Sequence, residues 1–325
     1  MTHCEKGVIF DLFRGTTHDG PGVRDTVFFA GCPLRCAWCH NPEGLLSKHS
    51  VWHEPKSCIG CMSCRDICKA GAIMEGSTNL LIRPELCNGC GDCVAECPTR
   101  AMAFIRRQWT LSELTDTLCR DASYYRSSGG GVTASGGECL MQHTFVAALF
   151  RELHARGIHT ALDTSGYAPT EAFMEVLAES DCLLFDLKFM DSVLHRKFCG
   201  ADNGLILANA RHAAEFARTS PHPPEIWIRT PLIPDATATA DNLKEIGRFI
   251  ADSMGDTISR WELCAFNNVC AGKYRRLGME WTYDGIPLLH RCRAEELLAA
   301  AKMTGAAGGE VYITGLLSDG HQKND

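Results

Sequence analysis

Two periodicities of hydrophobic residues alternate along the second half of the chain. Strand-like apolar runs are predicted at 158–163, 183–187, 226–229 and 260–264. Helical stretches alternate with them, as at 142–156, where Phe145, Leu149 and Leu153 recur at steps of four, and at 239–254. This alternation predicts an α/β fold in which helices cover a parallel sheet.

Three more elements are predicted nearer the start of the chain. Residues 27–31 form an apolar run typical of a strand, and a short strand is expected to end at Gly136 and Gly137. Thr110 and Glu113 have the spacing of a capping box, which predicts a helix from there to about residue 126. Because the carboxyl ends of parallel strands meet at one edge of a sheet, we expect functional residues on the loops that follow the strands.

Length and composition narrow the class of protein. The 325 residues suffice for one large domain or two smaller ones, and 45% hydrophobic with 22% charged residues is ordinary globular composition. No apolar run approaches the roughly 18 residues of a membrane span, and the first residues lack the pattern of a signal peptide. A net charge of -7 disfavours nucleic-acid binding. We therefore expect a cytoplasmic protein with no membrane or nucleic-acid partner.

The 19 cysteines are the unusual feature of the composition. In a large protein without an export signal, so many cysteines point to metal binding rather than to disulfides. Eleven lie in three tight groups between Cys32 and Cys97. The other eight are single and are expected to be small buried apolar residues: Cys4, Cys119, Cys139, Cys182, Cys199, Cys264, Cys270 and Cys292.

The second and third groups repeat one spacing. Cys58 opens a Cys-x2-Cys-x2-Cys-x3-Cys run that ends at Cys68, and Cys87 opens the same run, which ends at Cys97 and is followed by Pro98. In the bacterial two-cluster ferredoxin pattern, the first three cysteines of a run bind one 4Fe-4S cluster and the fourth binds the other. The predicted ligand sets are therefore Cys58, Cys61, Cys64 and Cys97 for one cluster, and Cys87, Cys90, Cys93 and Cys68 for the other.

Zinc is the alternative for sites of four thiolates. Zinc sites pair two Cys-x2–4-Cys knuckles, so the additional cysteine of each run would have no role there. The first run departs from the ferredoxin pattern in one respect, because Lys69 rather than proline follows it.

The first group has only three cysteines, in the order Cys32-x3-Cys36-x2-Cys39. Three thiolates on a four-iron cluster leave one iron without a protein ligand. A vacant position on a metal is what separates a catalytic site from a closed structural one. The group follows the predicted strand at 27–31, so this open cluster is expected on a loop at the end of that strand.

Three flanking motifs carry a resemblance to a known family. They are Asp19-Gly-Pro-Gly-Val-Arg24 before the cysteines, Cys39-His-Asn-Pro42 at their end, and the glycine-rich segment from Ser128 to Glu138. With the three-cysteine loop and its aromatic Trp38, the chain resembles the radical S-adenosylmethionine (SAM) superfamily, and within it the glycyl radical enzyme activating enzymes, such as the activase of pyruvate formate-lyase. The resemblance extends from about residue 7 to about residue 278.

The resemblance implies a domain organisation. It predicts a partial (β/α)6 radical SAM barrel formed by residues 1–50 and 106–325, interrupted at 51–105 by a two-cluster ferredoxin domain. The insert resembles that of a larger subgroup, whose members serve glycerol and hydroxyproline dehydratases, choline and sulfonate lyases, and arylacetate decarboxylases. The insert clusters are expected to relay electrons to the open cluster, and a bracing or docking role is the alternative.

The resemblance also implies residue roles. Trp38, His40 and Asn41 would flank the SAM adenine, and Gly136, Gly137 and Glu138 would receive its amino group. Asp186-Leu187-Lys188 would bring Lys188 to the SAM carboxylate, while Asp163 and Asp186 would help to hold a monovalent cation. Asn267 replaces a histidine expected at the ribose, which identifies no particular subgroup. Asp19 and Arg229 would bind the backbone of a protein substrate. The structural alternatives are a simple β-turn at Gly136 and Gly137, solvated charges at Lys188 and Asp163, a structural role for His40, and a surface position for Arg229.

The implied activity uses three 4Fe-4S clusters and SAM. Reductive cleavage of SAM would yield methionine and a 5′-deoxyadenosyl radical, which would take a hydrogen from a backbone glycine of a partner glycyl radical enzyme. A flavodoxin or ferredoxin is the expected electron donor, and the protein is expected to be a monomer. The alternatives are a radical SAM enzyme that acts on a small molecule and a ferredoxin-type electron carrier. The second leaves the three-cysteine loop and the glycine motif unexplained.

Overall fold

The computed structural model describes residues 6–45, 51–76, 80–83 and 85–319. Its strands are β1 (Lys6–Thr16), β2 (Arg24–Phe29), β3 (Val51–His53), β4 (Ile73–Glu75), β5 (Leu80–Ile82), β6 (Met102–Phe104), β7 (Arg107–Thr110), β8 (Gly131–Gly136), β9 (His159–Thr164), β10 (Cys182–Asp186), β11 (Glu225–Leu232), β12 (Ile258–Ala265) and β13 (Val311–Thr314).

The helices lie mainly between the later strands. They are α1 (Pro42–Leu45), α2 (Ser63–Asp66), α3 (Asp92–Glu96), α4 (Leu111–Leu118), α5 (Ala122–Ser128), α6 (His143–His154), α7 (Thr170–Leu177), α8 (Ser192–Cys199), α9 (Gly204–Thr219), α10 (Ala240–Phe249), α11 (Ala271–Arg276) and α12 (Arg291–Lys302). No helix in these described ranges has the length and apolar character needed to cross a membrane.

One nine-stranded sheet organises the larger part of the molecule. Its order is β13-β12-β11-β10-β9-β8-β2-β1-β7. The strands from β13 to β2 are parallel, and β1 and β7 are added antiparallel at one edge. The predicted α/β fold with a mostly parallel sheet is therefore confirmed. The parallel part of the sheet consists of seven strands, β2 and β8 to β13.

Several predicted element bounds need correction. The strand predicted at 226–229 extends to Leu232 and places Pro231 opposite Cys264 of β12, so Arg229 lies inside β11 and not at its end. The capping box at Thr110 is present, but the helix predicted to run to about residue 126 breaks into α4 and α5 at a 3-10 turn. The turn contains buried Asp121, which pairs with Arg14 of β1.

The main hydrophobic core lies between the large sheet and its helices. Phe145, Leu149 and Leu153 of α6 are fully buried there, as their periodicity predicts. Residues of β2, β8, β10 and β11 supply the opposite side of this core. The packing leaves the polar residues of these strands on the inner face of the sheet, where the candidate site lies.

The insert has a small core of its own. β3 pairs with β6, and β4 pairs with β5. The two short helices α2 and α3 each contain the third cysteine of a run, Cys64 and Cys93. The core includes Val51, Ile73 and Met102, together with buried cysteines. Met62 and Gly91 occupy matching positions just before the two helices, and both have left-handed backbone conformations. The repeated cysteine spacing is thus accompanied by a repeated backbone.

The single cysteines mostly behave as predicted. Four are buried: Cys139, Cys182, Cys199 and Cys270. Cys119 and Cys264 are half-buried, whereas Cys292 is exposed, so the prediction of burial is wrong there. Cys292 lies in the first turn of α12, on the side of that helix away from its buried residues. Cys4 lies outside the described residues.

Candidate functional site: the cysteine loop and the inner face of the sheet

The three-cysteine loop begins directly after β2 and is held at both ends by backbone hydrogen bonds. Gly31 N donates to Gly44 O of α1 at 3.0 Å. Arg35 N donates to Cys199 O at 2.7 Å, and Ala37 N donates to Phe198 O at 2.9 Å. The end of α8 therefore supports the loop from one side, and the loop has a defined shape.

The three thiols of this loop interact with one another. Cys39 is close enough to Cys36 and Cys32 for electrostatic interaction. Burial raises the pKa of Cys32 and of Cys39 to about 12. A hydrogen bond with Cys199 lowers the pKa of Cys36. The loop therefore gathers three half-buried thiols, as an iron-sulfur cluster bound through three cysteines requires.

Lys188 joins the cysteine loop to the sheet. Its side chain is 8% exposed and its Nζ donates to Asp186 Oδ2 at 2.7 Å. Burial alone would lower the pKa of Lys188, but Asp186 and the nearby Cys36 and Cys199 outweigh burial and raise it. Lys188 therefore stays protonated beside the loop, and a buried cation there favours an anionic ligand group.

Gly136 and Gly137 are required by close packing at the end of β8. Gly136 has a φ of +117°, and a Cβ there would collide with the backbone of Phe29. A Cβ at Gly137 would collide with the carbonyl oxygen of Gly31 and would crowd Cys32. The two glycines thus allow β8 to approach the start of the cysteine loop.

Glu138 is engaged within the protein. It is 1% exposed, and its carboxylate accepts hydrogen bonds from Thr164 Oγ1 at 2.7 Å and from Ser165 N at 3.0 Å. Ser165 Oγ and Leu140 N also donate to it. Its own N–H donates to Gly31 O at 2.7 Å. Glu138 therefore ties the ends of β8 and β9 to the cysteine loop.

Trp38, His40 and Asn41, the residues predicted near the SAM adenine, flank Cys39 in the chain. Trp38 is buried and its ring lies 6.2 Å from that of Phe189. Asn41 donates from Nδ2 to Gly136 O at 3.2 Å. Asn267 lies beside His40, and Val269 N donates to Asn267 Oδ1 at 3.3 Å.

His40 carries an unsatisfied polar atom. Among the described residues, no hydrogen-bond partner reaches its Nε2, and the same is true of Nε1 of Trp281, whose ring lies 6.3 Å from the His40 ring. Burial lowers the pKa of His40, so the ring is neutral near pH 7. Buried polar atoms without partners are rare in folded proteins, and two side by side fit a place for a ligand.

A row of charged side chains crosses the inner face of the sheet. In register, Asp186 of β10 lies beside Arg229 of β11, and Arg229 lies beside Glu262 of β12. The Arg229 guanidinium is 3.6 Å from Glu262, 3.5 Å from Asp163 and 4.0 Å from Asp19. Four acidic side chains, those of Asp19, Asp163, Asp186 and Glu262, therefore surround the basic side chain of Arg229.

The charges in this row depend on one another. Burial raises the pKa of Asp163 to about 6, although Arg229 opposes the shift. Burial alone would lower the pKa of Arg229, but Cys264, Asp163, Asp186 and Glu262 together raise it, so the guanidinium stays charged. Two of the four carboxylates also pair with a second cation, Asp186 with Lys188 Nζ at 2.7 Å and Glu262 with Arg260 Nη1 at 3.3 Å, so the row and its flanks hold four carboxylates and three cations. The remaining negative charge suits a cation or the N–H groups of a peptide.

Asp19 reaches this row because its loop folds against β8. Thr26 Oγ1 and Thr16 Oγ1 donate to its carboxylate at 2.7 and 3.0 Å, and Thr133 Oγ1 donates to its carbonyl oxygen at 2.7 Å. The buried Arg24 of the same motif donates from Nε to Thr133 Oγ1 at 2.7 Å. The motif from Asp19 to Arg24 is therefore a scaffold that fixes one carboxylate over the sheet.

The insert contains two cavities lined by cysteines. One, of about 330 Å³, is lined by residues that include Cys58, Cys61, Cys64 and Cys97. The other, of about 350 Å³, is lined by residues that include Cys68, Cys87, Cys90 and Cys93. Each cavity thus receives three cysteines from one run and the fourth cysteine from the other, the same grouping that the spacing predicts.

The cysteines of each cavity lie around a space that is larger than a single metal ion. In the described part of the chain, no three His, Cys, Asp or Glu side chains converge closely enough to share one metal ion. A zinc ion needs its thiolates at about 2.3 Å. A 4Fe-4S cluster is much larger than one ion and needs four thiols spread around it, and each cavity has four cysteines in its lining.

Sequence reasoning missed Glu262, Cys199 and Tyr274. Glu262 could have been found from the alternation along β12, because every second residue faces the same side as Cys264. Cys199 contacts the loop only through the turn at the end of α8. Tyr274 donates from its hydroxyl to Cys39 O at 2.9 Å, across 235 positions of sequence, and no local pattern indicates that contact.

Comparison with known proteins agrees with this geometry. Residues 57–102 match the family of 4Fe-4S dicluster domains. Over 88% of its length, the chain shares its fold, with a TM-score of 0.52 and 13% identity, with Streptococcus suis SuiB bound to the precursor peptide SuiA, of which it covers 47%. At that identity the likeness shows the fold alone.

Curated relatives match nearly the whole chain. The choline trimethylamine-lyase activating enzyme of Oleidesulfovibrio alaskensis is 34% identical over 91% of this chain and 95% of its own length. The trans-4-hydroxy-L-proline dehydratase activating enzyme of Clostridioides difficile is 34% identical over 95% of this chain and 99% of its own length. With the three-cysteine loop, the dicluster insert and this similarity along its length, the chain belongs to the glycyl radical enzyme activating enzymes of the radical SAM class.

Proposed function

We propose that the protein binds a 4Fe-4S cluster through Cys32, Cys36 and Cys39, binds SAM at the fourth iron, and installs a radical on a glycine of a partner enzyme. When bound, the cluster supplies the electron that cleaves SAM to methionine and a 5′-deoxyadenosyl radical, which takes a hydrogen from that glycine. The chain itself holds, orients and shields these groups. In this proposal the inner sheet belongs to a partial (β/α)6 barrel.

The contact between Lys188 and both parts of the site carries the proposal. Lys188 is bonded to Asp186, which borders the charged row, and it lies beside Cys36 of the cysteine loop. A ligand on the open iron would therefore lie between the loop and the row that receives the second substrate. This arrangement supports a site in which SAM and the second substrate would be neighbours.

The SAM-binding roles follow from charge and from unsatisfied groups. The buried cation of Lys188 suits the SAM carboxylate. The free Nε2 of His40 and the nearby Asn41 and Asn267 suit the adenosine, which offers several hydrogen-bonding atoms. Because the carboxylate of Glu138 is occupied by internal donors, we assign it a positioning role at Gly136 and Gly137 rather than direct contact with the amino group.

The charged row suits the backbone of the partner's glycine loop. Arg229 can donate to a peptide carbonyl, and Asp19 can accept from a peptide N–H. Together they can bind the backbone of an extended chain independently of its side chains. The remaining carboxylates, Asp163 and Asp186, are the proposed ligands of a monovalent cation. The most direct support is the position of Arg229 between Asp19 and Asp163 on the inner face of the sheet.

The two insert cavities complete a proposal of three clusters. Their ligand sets are the ones predicted from the spacing, and the grouping of the cavity-lining cysteines supports them. Two closed clusters have no vacant iron, so electron relay is their proposed role. A flavodoxin or ferredoxin donor, a monomeric state, a cytoplasmic location and domain limits at 51–105 stay predictions.

An EPR experiment tests the function. The anaerobically reconstituted protein is mixed with SAM, dithionite and one glycyl radical enzyme at a time, beginning with choline trimethylamine-lyase and trans-4-hydroxy-L-proline dehydratase, which relatives of this chain activate. We expect an organic radical doublet that collapses when the partner contains glycine deuterated at Cα. SAM cleavage that yields a radical on a free metabolite, and none on any partner, would contradict the proposal.

A further inference from the structure

Strand β3 presents a different residue to each of the two insert cavities. Val51 lines the cavity of Cys68, Cys87, Cys90 and Cys93, and His53 lines the cavity of Cys58, Cys61, Cys64 and Cys97. Alternate residues of a strand face the same side, so one face of β3 serves both cavities. The two sites are alike in their cysteines but differ in this neighbouring side chain.

His53 carries a polar atom that the described protein leaves unsatisfied. The residue is 6% exposed, and its Nε2 is buried without a hydrogen-bond partner among the described residues. A buried polar group without a partner costs about 1 to 3 kcal/mol, and such groups in folded proteins generally have an explanation. The explanation available here is an acceptor inside the cavity that His53 lines.

The chemistry of the cavity supplies such an acceptor. A 4Fe-4S cluster presents negatively charged sulfides and thiolates, and a histidine ring can donate from Nε2. We propose that His53 Nε2–H donates a hydrogen bond to a sulfur atom of the cluster held by Cys58, Cys61, Cys64 and Cys97, and that this bond makes it easier to reduce than the other insert cluster. The inference rests on the proposed ligand sets.

The effect has a defined direction. Reduction adds one electron to the cluster and increases the negative charge on its sulfurs, so a donor stabilises the reduced form and raises the reduction potential. Backbone N–H groups reach a cysteine sulfur in both cavities, with Gly60 N 3.4 Å from Cys58 Sγ and Ala72 N 3.3 Å from Cys68 Sγ. Further N–H groups reach Cys97 from Thr99, Ala101 and Met102 in the His53 cavity, and Ser63 donates to Cys61 there. Val51, the counterpart of His53 in the other cavity, has nothing to donate.

A second polar neighbour lies on the same side. The Thr99 hydroxyl is 3.8 Å from Cys97 Sγ and lines the same cavity as His53. The other cavity is lined by Asn88, whose Oδ1 accepts from Cys90 N, and by the carboxylate of Asp92, so the polar surroundings of the two clusters differ in the same direction. An electron that enters the insert should therefore reduce the cluster beside His53 first.

The test measures reduction potentials in the full-length chain. Cys32, Cys36 and Cys39 are first replaced by alanine, so that only the insert clusters contribute to the EPR signal during a titration with dithionite. We expect two different potentials. In that background His53→Leu should make the higher-potential cluster about tenfold harder to reduce, equivalent to about 59 mV for one electron. His53→Gln, which retains a donor, should restore part of the shift, and Val51→Ala should move neither potential.

The outcomes separate this inference from the proposed function. About eight iron per chain with potentials unchanged in His53→Leu would overturn the role of His53 and leave the ligand sets intact. A parent variant that binds no iron in the insert would overturn the ligand sets themselves. If His53→Leu fails to assemble its cluster, Val51→Asn decides: a donor added to the other cavity should raise the lower potential, and no rise would contradict the inference.

Discussion

The insert and the three-cysteine loop use cysteine in two different ways. In the insert, eight cysteines line two cavities with four in each. In the loop, three cysteines stand beside a buried lysine and a fourth thiol, Cys199, that belongs to another element. A site that encloses its metal group with protein ligands suits electron transfer, and a site that leaves a position open suits chemistry on a substrate.

The exposure of the thiols follows the same division. In the three-cysteine loop, Cys32, Cys36 and Cys39 are all half-buried, and none of them is exposed. In the insert, Cys61 and Cys90 are exposed, one at each cavity. A radical must be shielded from solvent, whereas an electron must enter from outside. The half-buried thiols of the loop and the one exposed cysteine at each insert cavity fit these opposite needs.

Removing one cysteine from the open site should have the largest effect. Cys36→Ala should abolish SAM cleavage while the insert keeps about eight iron per chain, because the ligand sets are separate. Production of 5′-deoxyadenosine and iron content are measured together. Cys292→Ala, at an exposed cysteine, is the control and should change neither. SAM cleavage by Cys36→Ala at a rate near wild type would mean that the catalytic cluster is misassigned.

Replacing Arg229 should impair radical formation on the partner more than cleavage of SAM. Arg229→Gln removes the guanidinium that pairs with Asp163, Asp19 and Glu262, and losing one partner of a buried charge network costs about 2 to 5 kcal/mol. We expect radical formation on the partner to fall at least about 30-fold. SAM cleavage without partner should change much less.

The matched control for this prediction is Arg248→Gln, on the exposed side of α10. Radical yield is measured by EPR and uncoupled cleavage by chromatography. Equal losses of both activities in Arg229→Gln, with the protein still folded, would assign Arg229 to the SAM site instead of the partner site.

The relay role of the insert predicts a smaller, donor-dependent effect. Cys61→Ala or Cys90→Ala should slow SAM cleavage driven by a protein donor far more than cleavage driven by dithionite, which can reach the open cluster directly. The two rates are compared in the same preparations, with the barrel cluster verified by EPR. Equal losses with both reductants would favour a bracing role, in which the insert clusters act as structural metals.

The smallest effect is a pH dependence in the charged row. Burial raises the pKa of Asp163 to about 6, above its unfolded value of about 3.9. Between these pH values the folded protein holds a proton that the unfolded chain has lost, so stability from this group falls as pH rises through the window. Asp163→Asn should therefore gain about 1 to 3 kcal/mol relative to wild type from pH 4 to pH 7.

Thermal unfolding of both proteins under anaerobic conditions at several pH values measures this difference. Asp252→Asn, at an exposed aspartate, is the control. A stability difference between Asp163→Asn and wild type that is the same at every pH would show that Asp163 has an ordinary pKa.

The sequence was informative where short-range patterns decide the structure. The four apolar runs became β9 to β12, the helical period became α6, and the cysteine spacing anticipated the grouping of residues around each cavity. These features depend on residues a few positions apart. They could be predicted because period and spacing are local properties of a chain.

Features that depend on distant contacts escaped prediction. β1 and β7 are antiparallel additions, and β7 became a strand because residues 107–110 pair with 6–9. Glu138 looked like a free carboxylate until Thr164 and Ser165 were placed against it by the next strand. Tyr274 reaches Cys39 from a helix at the other end of the chain. Tertiary packing decides such contacts, and no local pattern records them.

In the proposed function, the three-cysteine loop leaves one iron open to SAM, whereas both insert clusters are closed. Mössbauer spectroscopy of protein reconstituted with 57Fe, recorded before and after addition of SAM, tests it directly. We predict that about one twelfth of the iron absorption shifts on adding SAM, because one iron of three clusters gains ligands. In the variant in which Cys32, Cys36 and Cys39 are alanine, nothing should shift. A SAM-dependent shift that persists in that variant, or none in the wild type, would contradict the account.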